Sequence, residues 1–198
     1  TGTNGKSTTT ALCAALLRDA GRDAVACGNF GTPWIHWAEA APDGAPQPPT
    51  RVWVVELSSF QLEGTRRFAP DVAVHLNLTP DHLDRYGGSF QRYVDAKCRI
   101  FENQKGGDHL IYNADDEATA SAVAARAPSG VALHPFSLTH PQQEGAFVRN
   151  GRLTLSIGGA TAEIIPLEEL APSPPAPMPA LSEVIDLRER LAGAVSAA

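Results

Sequence analysis

The sequence is poor in the residues that mark secreted, membrane-spanning or nucleic-acid-bound chains. It holds three cysteines among 198 residues, Cys13, Cys27 and Cys98, far apart and odd in number. No Cys-x-x-Cys pair occurs, so neither a zinc site nor a disulfide framework is expected, and each thiol reads as a small buried hydrophobe. A reducing cytoplasm fits that usage. Basic residues are outnumbered, 16 Lys and Arg against 22 Asp and Glu, for a net charge of -6. A nucleic-acid partner normally calls for a basic face, so none is expected. No apolar run approaches the roughly 20 residues that span a bilayer. From Thr1 onward there is no basic segment followed by an apolar stretch, so no secretory leader is visible and no membrane partner is expected. The 43% of hydrophobic residues is what one good core needs.

The residues that are present alternate between two rhythms. Ser7–Ala20 reads as a helix stopped by Gly21. Ala24–Cys27 is a short apolar run leading into Gly28-Asn29-Phe30-Gly31, and Pro42–Pro49 is a Pro/Gly-rich loop. Arg51–Leu57, Asp71–Leu78 and His109–Asn113 are nearly continuous apolar runs, the pattern of parallel strands covered on both faces. Helical stretches lie between them and after them, at Ser89–Gln104 and Asp116–Ala127. Beyond Pro128 the rhythm changes. Ala146–Arg149, Asn150-Gly151 and Arg152–Leu155 form a hairpin signal, because Asn-Gly suits a type I′ turn. Ala162–Ile165 offers a third strand. The expected fold is α/β of the P-loop type, a mostly parallel sheet flanked by helices, with a small antiparallel sheet toward the C-terminal part. Three segments follow: a domain over 1–170, a linker over 171–180 holding five prolines, and a tail over 181–198. That tail carries an apolar helical stripe through Val184, Leu187, Leu191 and Val195.

Gly2-Thr3-Asn4-Gly5-Lys6-Ser7-Thr8 opening a helix is the pattern of a phosphate loop. Glycines let backbone N–H groups close around phosphate oxygens, and the helix N-terminus adds a favourable partial charge. Lys6 supplies a cation for the β- and γ-phosphates, and the Ser7 hydroxyl suits Mg²⁺. With no strand leading into it, the free end of the loop is expected to be mobile.

Three more residues carry candidate chemistry. Glu56 ends a buried strand, where parallel sheets place their ligands, and reads either as a Mg²⁺ ligand or as a solvated strand-end acid. His82, within Asp81-His82-Leu83-Asp84-Arg85, reads either as a metal ligand oriented by Asp81 or as a local hydrogen-bonder. Lys97 stands seven residues after Phe90 on the apolar stripe of its helix, with Tyr93, Val94, Cys98 and Phe101. A bare ammonium there is costly. It either snorkels past the helix edge or carries a charge-reversing modification; a carbamylated lysine is an anion and a metal ligand.

Taken together these residues resemble the Mur ligase family. The shared signals are Thr1–Thr8, Glu56-Leu57-Ser58-Ser59, Asn77-Leu78-Thr79-Pro80-Asp81-His82-Leu83-Asp84, and Lys97 within Ala96–Phe101. Phe60-Gln61-Leu62-Glu63 after the second signal and Arg85-Tyr86 after the third look most like the members that add D-glutamate; Gly28–Gly31 and Tyr112–Asp116 agree. The resemblance implies an ATP-driven amide ligase of peptidoglycan precursor synthesis, joining D-glutamate to UDP-N-acetylmuramoyl-L-alanine through an acyl phosphate. It implies that Lys6 and the loop hold ATP and that Ser7 and Glu56 hold one Mg²⁺. His82 and a carbamylated Lys97 would hold a second, with Asn29, Ser58, Gln61 and His82 near the muramoyl substrate. Lys6, His82 and Lys97 are then the catalytic candidates in a monomeric protein. The family's uridine-gripping N-terminal domain, its adenine-contacting His-Asn segment and its amino-acid-binding C-terminal domain have no counterpart in this sequence. The expectation is an ATPase core that does not ligate by itself. Another ligase of this kind, a folylpolyglutamate-type enzyme, or a non-catalytic or vestigial nucleotide-binding module are the alternatives.

Overall fold

All three apolar runs become strands, and the first two feed loops or helices that carry candidate residues. A computed structural model describes residues 1–39 and 50–170. The Pro42–Pro49 loop, the 171–180 linker and the 181–198 tail lie outside the described residues. In chain order the elements begin α1 (Lys6–Asp19), β1 (Ala24–Gly28), α2 (Trp34–Glu39), β2 (Val52–Glu56), α3 (Ser59–Glu63) and β3 (Val72–His75). They continue α4 (Phe90–Cys98), β4 (His109–Asn113), α5 (Glu117–Arg126), β5 (Ala132–Ser137), β6 (Gly145–Arg149), β7 (Arg152–Ile157) and β8 (Ala160–Pro166). No helix among the described residues is long and apolar enough to cross a membrane.

The described residues divide into two units, 1–5 with 58–163, and 6–39 and 50–57 with 164–170. In the first, a six-stranded sheet runs in the order β3-β4-β5-β6-β7-β8. β3 through β6 are parallel, and β7 turns back antiparallel to β6. The hairpin therefore continues the parallel strands in one sheet rather than standing beside them. Asn150 and Gly151 both have positive φ, 52° and 71°, as a type I′ turn demands.

β5 has no clear strand signal, because His134 and Pro135 interrupt it. Proline is tolerated there since β6 pairs with β5 only from Phe136, so the missing N–H leaves no ladder bond unmade. Burial is one-sided in β3, where Ala73 and His75 are buried while Val72 is half exposed. The apolar runs thus do not mean cover on both faces. The core lies against the face bearing Ala73, His75, Leu110 and Phe147, with Tyr93, Val94, Phe101, Ala122 and Val123 from the helical segments.

α4 stops at Cys98, short of the expected Gln104, and continues as tighter turns with Ile100 N–H on Lys97 O and Phe101 N–H on Cys98 O. The unwinding frees polar side chains to hold the preceding crossover. Arg99 donates to Leu62 O and Thr65 O, Asn103 to Arg66 O and Phe68 O, and Gln104 to Pro70 O.

In the second unit α1 packs on the two-stranded parallel sheet β1-β2. Its end is a Schellman turn: Gly21, at φ 74°, donates to Arg18 O, and Arg22 donates to Leu17 O. Gly21 is thus the helix stop its position suggested.

His75 is 1% exposed, and neither ring nitrogen has a hydrogen-bond partner among the described residues. Burial above all, with the nearby charge of Lys97, pushes its pKa down to about 3. The unfolded chain takes up this proton below pH 6.5 and the folded chain does not, so stability is present above that pH and lost as pH falls. From this residue, unfolding at pH 5 should be easier than at pH 7 by about 2 kcal/mol. Denaturant titrations of His75→Leu against the wild type should show that pH dependence removed.

Candidate functional site

Thr1–Gly5 is laid along β3 and the segment after it by a series of short bonds. Thr1 N donates to Val74 O at 2.8 Å and Leu76 N donates back to Thr1 O at 2.9 Å, the spacing of a parallel bridge. Thr3 N donates to Asn77 O at 3.0 Å. Asn4 N donates to Asn77 Oδ1 at 2.8 Å, and Asn77 Nδ2 returns a bond to Asn4 O at 3.1 Å. The Thr3 hydroxyl accepts from Thr79 N at 3.1 Å and lies 2.9 Å from Tyr93 Oη. Gly2 allows this approach: a Cβ there would sit 2.8 Å from Leu76 Cβ. The leading end of the loop is thus held rather than free, contrary to the mobility expected of it. The bonds to Asn77 also use the amides of Thr3 and Asn4. Those two amides are therefore not available to a phosphate.

Lys97 lies beneath this loop. It is 2% exposed, with Nζ donating to Gly2 O at 2.8 Å and 4.9 Å from the Tyr93 ring centroid. The side chain does not snorkel. A backbone carbonyl and an aromatic ring serve the buried ammonium instead.

His82 is exposed and sits in the left-handed region at φ 49°. Asp81 Oδ1 accepts its backbone N–H at 2.9 Å, and Asp81 Oδ2 lies 3.5 Å from Nε2. Ser58 and Gln61 form a capping box on α3: Ser58 Oγ accepts from Gln61 N, and Gln61 Oε1 accepts from Ser58 N at 2.9 Å. These two candidates therefore also start a helix.

In the other unit Lys6, Ser7 and Thr8 make up the first turn of α1, with Thr8 exposed. There Glu56, 2% exposed, ends β2 opposite Gly28 on β1. Asn29 Nδ2 donates to Glu56 Oε1 at 2.9 Å, and Asn29 N donates to Glu56 O at 2.8 Å. Glu56 Oε2 is buried with no partner among the described residues. Gly28, at φ 103°, cannot be replaced without conflict, since a Cβ would fall 2.3 Å from Glu56 O. A buried carboxylate with one oxygen anchored and one unpaired is the donor expected of a cation site. No group of three or more His, Cys, Asp or Glu side chains suited to a metal occurs among the described residues. Mg²⁺ tolerates this, because it keeps waters and takes ligands from phosphates and hydroxyls.

Sequence reasoning left Tyr93 in the core and gave Asn77 no separate role. Tyr93 stands four residues before Lys97, the helical neighbour spacing that predicts their contact. For Asn77 only its place after a strand was visible.

Comparison with known proteins follows the same lines. The Mur ligase middle domain model matches residues 1–166. The chain belongs to that family. It is 47% identical over 173 residues to the UDP-N-acetylmuramoylalanine–D-glutamate ligase of Acidobacterium capsulatum, covering 86% of this chain and 35% of the relative. It is 43% identical over 171 residues to the ligase of the same name from Koribacter versatilis, with the same coverage of 86% and 35%. Among solved structures, a UDP-N-acetylmuramoyl-L-alanyl-D-glutamate–2,6-diaminopimelate ligase matches 99% of this chain and 42% of its own, at TM-score 0.60 and 23% identity. The last likeness concerns the fold. The chain spans about a third of the length of the curated relatives it matches.

Removing the Lys97 ammonium strands the Gly2 carbonyl, and an unmet buried acceptor costs about 1–3 kcal/mol. Lys97→Met should lose stability of that order in denaturant unfolding, with faster hydrogen exchange at the Thr3 amide.

Proposed function

We propose that this chain is the ATP-binding part of a ligase that joins D-glutamate to UDP-N-acetylmuramoyl-L-alanine. The observation that carries the reading is the phosphate loop of a Mur ligase middle domain, tied to β3, in a chain that also holds a buried half-paired carboxylate, Glu56. The names borne by relatives at 43% and 47% identity support the choice of substrates.

In this reading Lys6 and the N–H groups from Gly5 into α1 bind the triphosphate. Lys6 stabilises charge on the transferring γ-phosphoryl group, the main contribution a protein makes to phosphoryl transfer. That group passes from ATP to the alanyl carboxylate, leaving ADP and an acyl phosphate. The amine of D-glutamate then displaces phosphate to form the amide. Ser7 and Glu56 would hold Mg²⁺, which when bound draws charge from the phosphate oxygens. Asn29 keeps Glu56 aimed; Asn29, Ser58 and Gln61 are each assigned to the muramoyl substrate by the family resemblance alone.

The second cation site proposed, at His82 and Lys97, requires chemistry at Lys97. As an ammonium it is a donor to Gly2 O and cannot ligate a cation. Addition of CO₂ to the neutral amine, with release of a proton, would convert it to an anionic carbamate that can. A cytoplasmic setting follows from the substrates proposed.

Calorimetry with a non-hydrolysable ATP analogue, Mg²⁺ and bicarbonate tests the reading. Lys6→Ala should weaken binding about 10- to 100-fold, the worth of a charge-assisted hydrogen bond. Unchanged affinity in Lys6→Ala would refute the loop as the nucleotide site. Glu56→Gln should keep the fold yet lose most of the Mg²⁺ dependence of binding; full retention would remove Glu56 from the cation site.

A further inference from the structure

Two stretches of sequence, Phe60–Glu63 and His82–Arg85, meet in a way that the proposed chemistry leaves unused. Each offers a pair of side chains three residues apart. On α3 these are Phe60 and Glu63, and on the turn after β3 they are His82 and Arg85. The four make three successive contacts. The His82 ring lies 5.0 Å from the Phe60 ring, tilted by 56°. The Arg85 guanidinium stands 4.7 Å from the centroid of the same Phe60 ring. Arg85 is itself gripped by Glu63, with Nε to Oε1 at 3.3 Å and Nη2 to Oε2 at 2.9 Å.

His82 needs such help. Its backbone is in the left-handed region, costly for a residue with a Cβ, and its ring is about half exposed. Among the described residues the one polar contact to the ring, Asp81 Oδ2, is long at 3.5 Å. An exposed imidazole held by one long contact samples several rotamers, whereas a ring packed on an aromatic face loses that freedom. Phe60 is itself 41% exposed. Arg85 supplies the missing restraint, because a planar guanidinium both stacks on an aromatic ring and binds a carboxylate through two parallel bonds.

We infer that Phe60, Arg85 and Glu63 are positioning residues that act in series to set the orientation of the His82 imidazole. The inference rests on His82 serving the site proposed above. It also assigns a joint task to residues from the two stretches that most resemble the D-glutamate-adding members: the Phe-Gln-Leu-Glu run and the Arg-Tyr pair are two halves of one clamp.

NMR of the 198-residue chain with isotope-labelled histidine tests this directly. Phe60→Leu should shift the His82 ring resonances toward random-coil positions. Arg85→Gln and Glu63→Gln should each shift them part of the way in the same direction. The double variant should go no further than Arg85→Gln alone, as expected for residues in series. Arg85→Lys, which keeps the charge but not the fork, should resemble Arg85→Gln. Thermal stability should hardly change, since these side chains are exposed. His82 resonances that stay put in Arg85→Gln would overturn the proposal, as would equal and additive shifts from Arg85→Gln and Glu63→Gln. Titrating Mg²⁺ and an ATP analogue into the wild-type chain tests the site reading separately. If His82 ignores the nucleotide while the variants move it as described, the clamp stands and the assignment of His82 to the nucleotide site falls.

Discussion

The short ladder between Thr1–Gly5 and the stretch from Val74 to Thr79 is the constraint on which the candidate residues of its own unit depend. Asn77 is its hinge pin. One side chain and one carbonyl receive the amides of Thr3 and Asn4, and the same side chain donates back to Asn4 O. Lys97 closes the arrangement from below through Gly2 O. β3 is bonded to the ladder through Val74 O, and α4 is tied to it through Tyr93 and Lys97. Asp116 adds a further tie, accepting from Leu78 N at 3.2 Å while capping α5 through Thr119 N at 2.8 Å.

Much of this was legible in the residues. The apolar runs gave their strands, Gly21 stopped α1, and Asn150-Gly151 made its turn, because each signal acts over a few residues and has a local cause. The helical stripe placed Lys97 inward for the same reason. What escaped had non-local causes. β5 carries a proline that only the late start of β6 makes acceptable. α4 ends early because Arg99, Asn103 and Gln104 are drawn to carbonyls more than 30 residues back in the chain. The one-sided burial of β3 depends on where helices land, which an apolar run does not encode.

The site shows the same division. The phosphate loop, Glu56 and Lys97 stood out through their residue types. The partners that give them their present state did not: Gly2 O and the Tyr93 ring for Lys97, Asn29 for Glu56, Phe60 beside His82. Ser58 and Gln61 teach the converse lesson, since a pair chosen for chemistry is also a capping box that α3 needs in order to begin. The role proposed for the pair and the start of α3 would then draw on the same atoms.

The ties from Thr3 and Asn4 to Asn77 have a thermodynamic consequence. Fixing the backbone of a residue costs about 1–2 kcal/mol of conformational entropy. For this stretch the cost falls within folding, so a phosphate bound there as proposed would meet a backbone already ordered. Affinity for nucleotide should then track contacts made on arrival, not the ordering of a slack loop. Any substitution that loosens Asn77 would transfer that entropy from folding to binding and register as weaker nucleotide affinity in a chain that still folds.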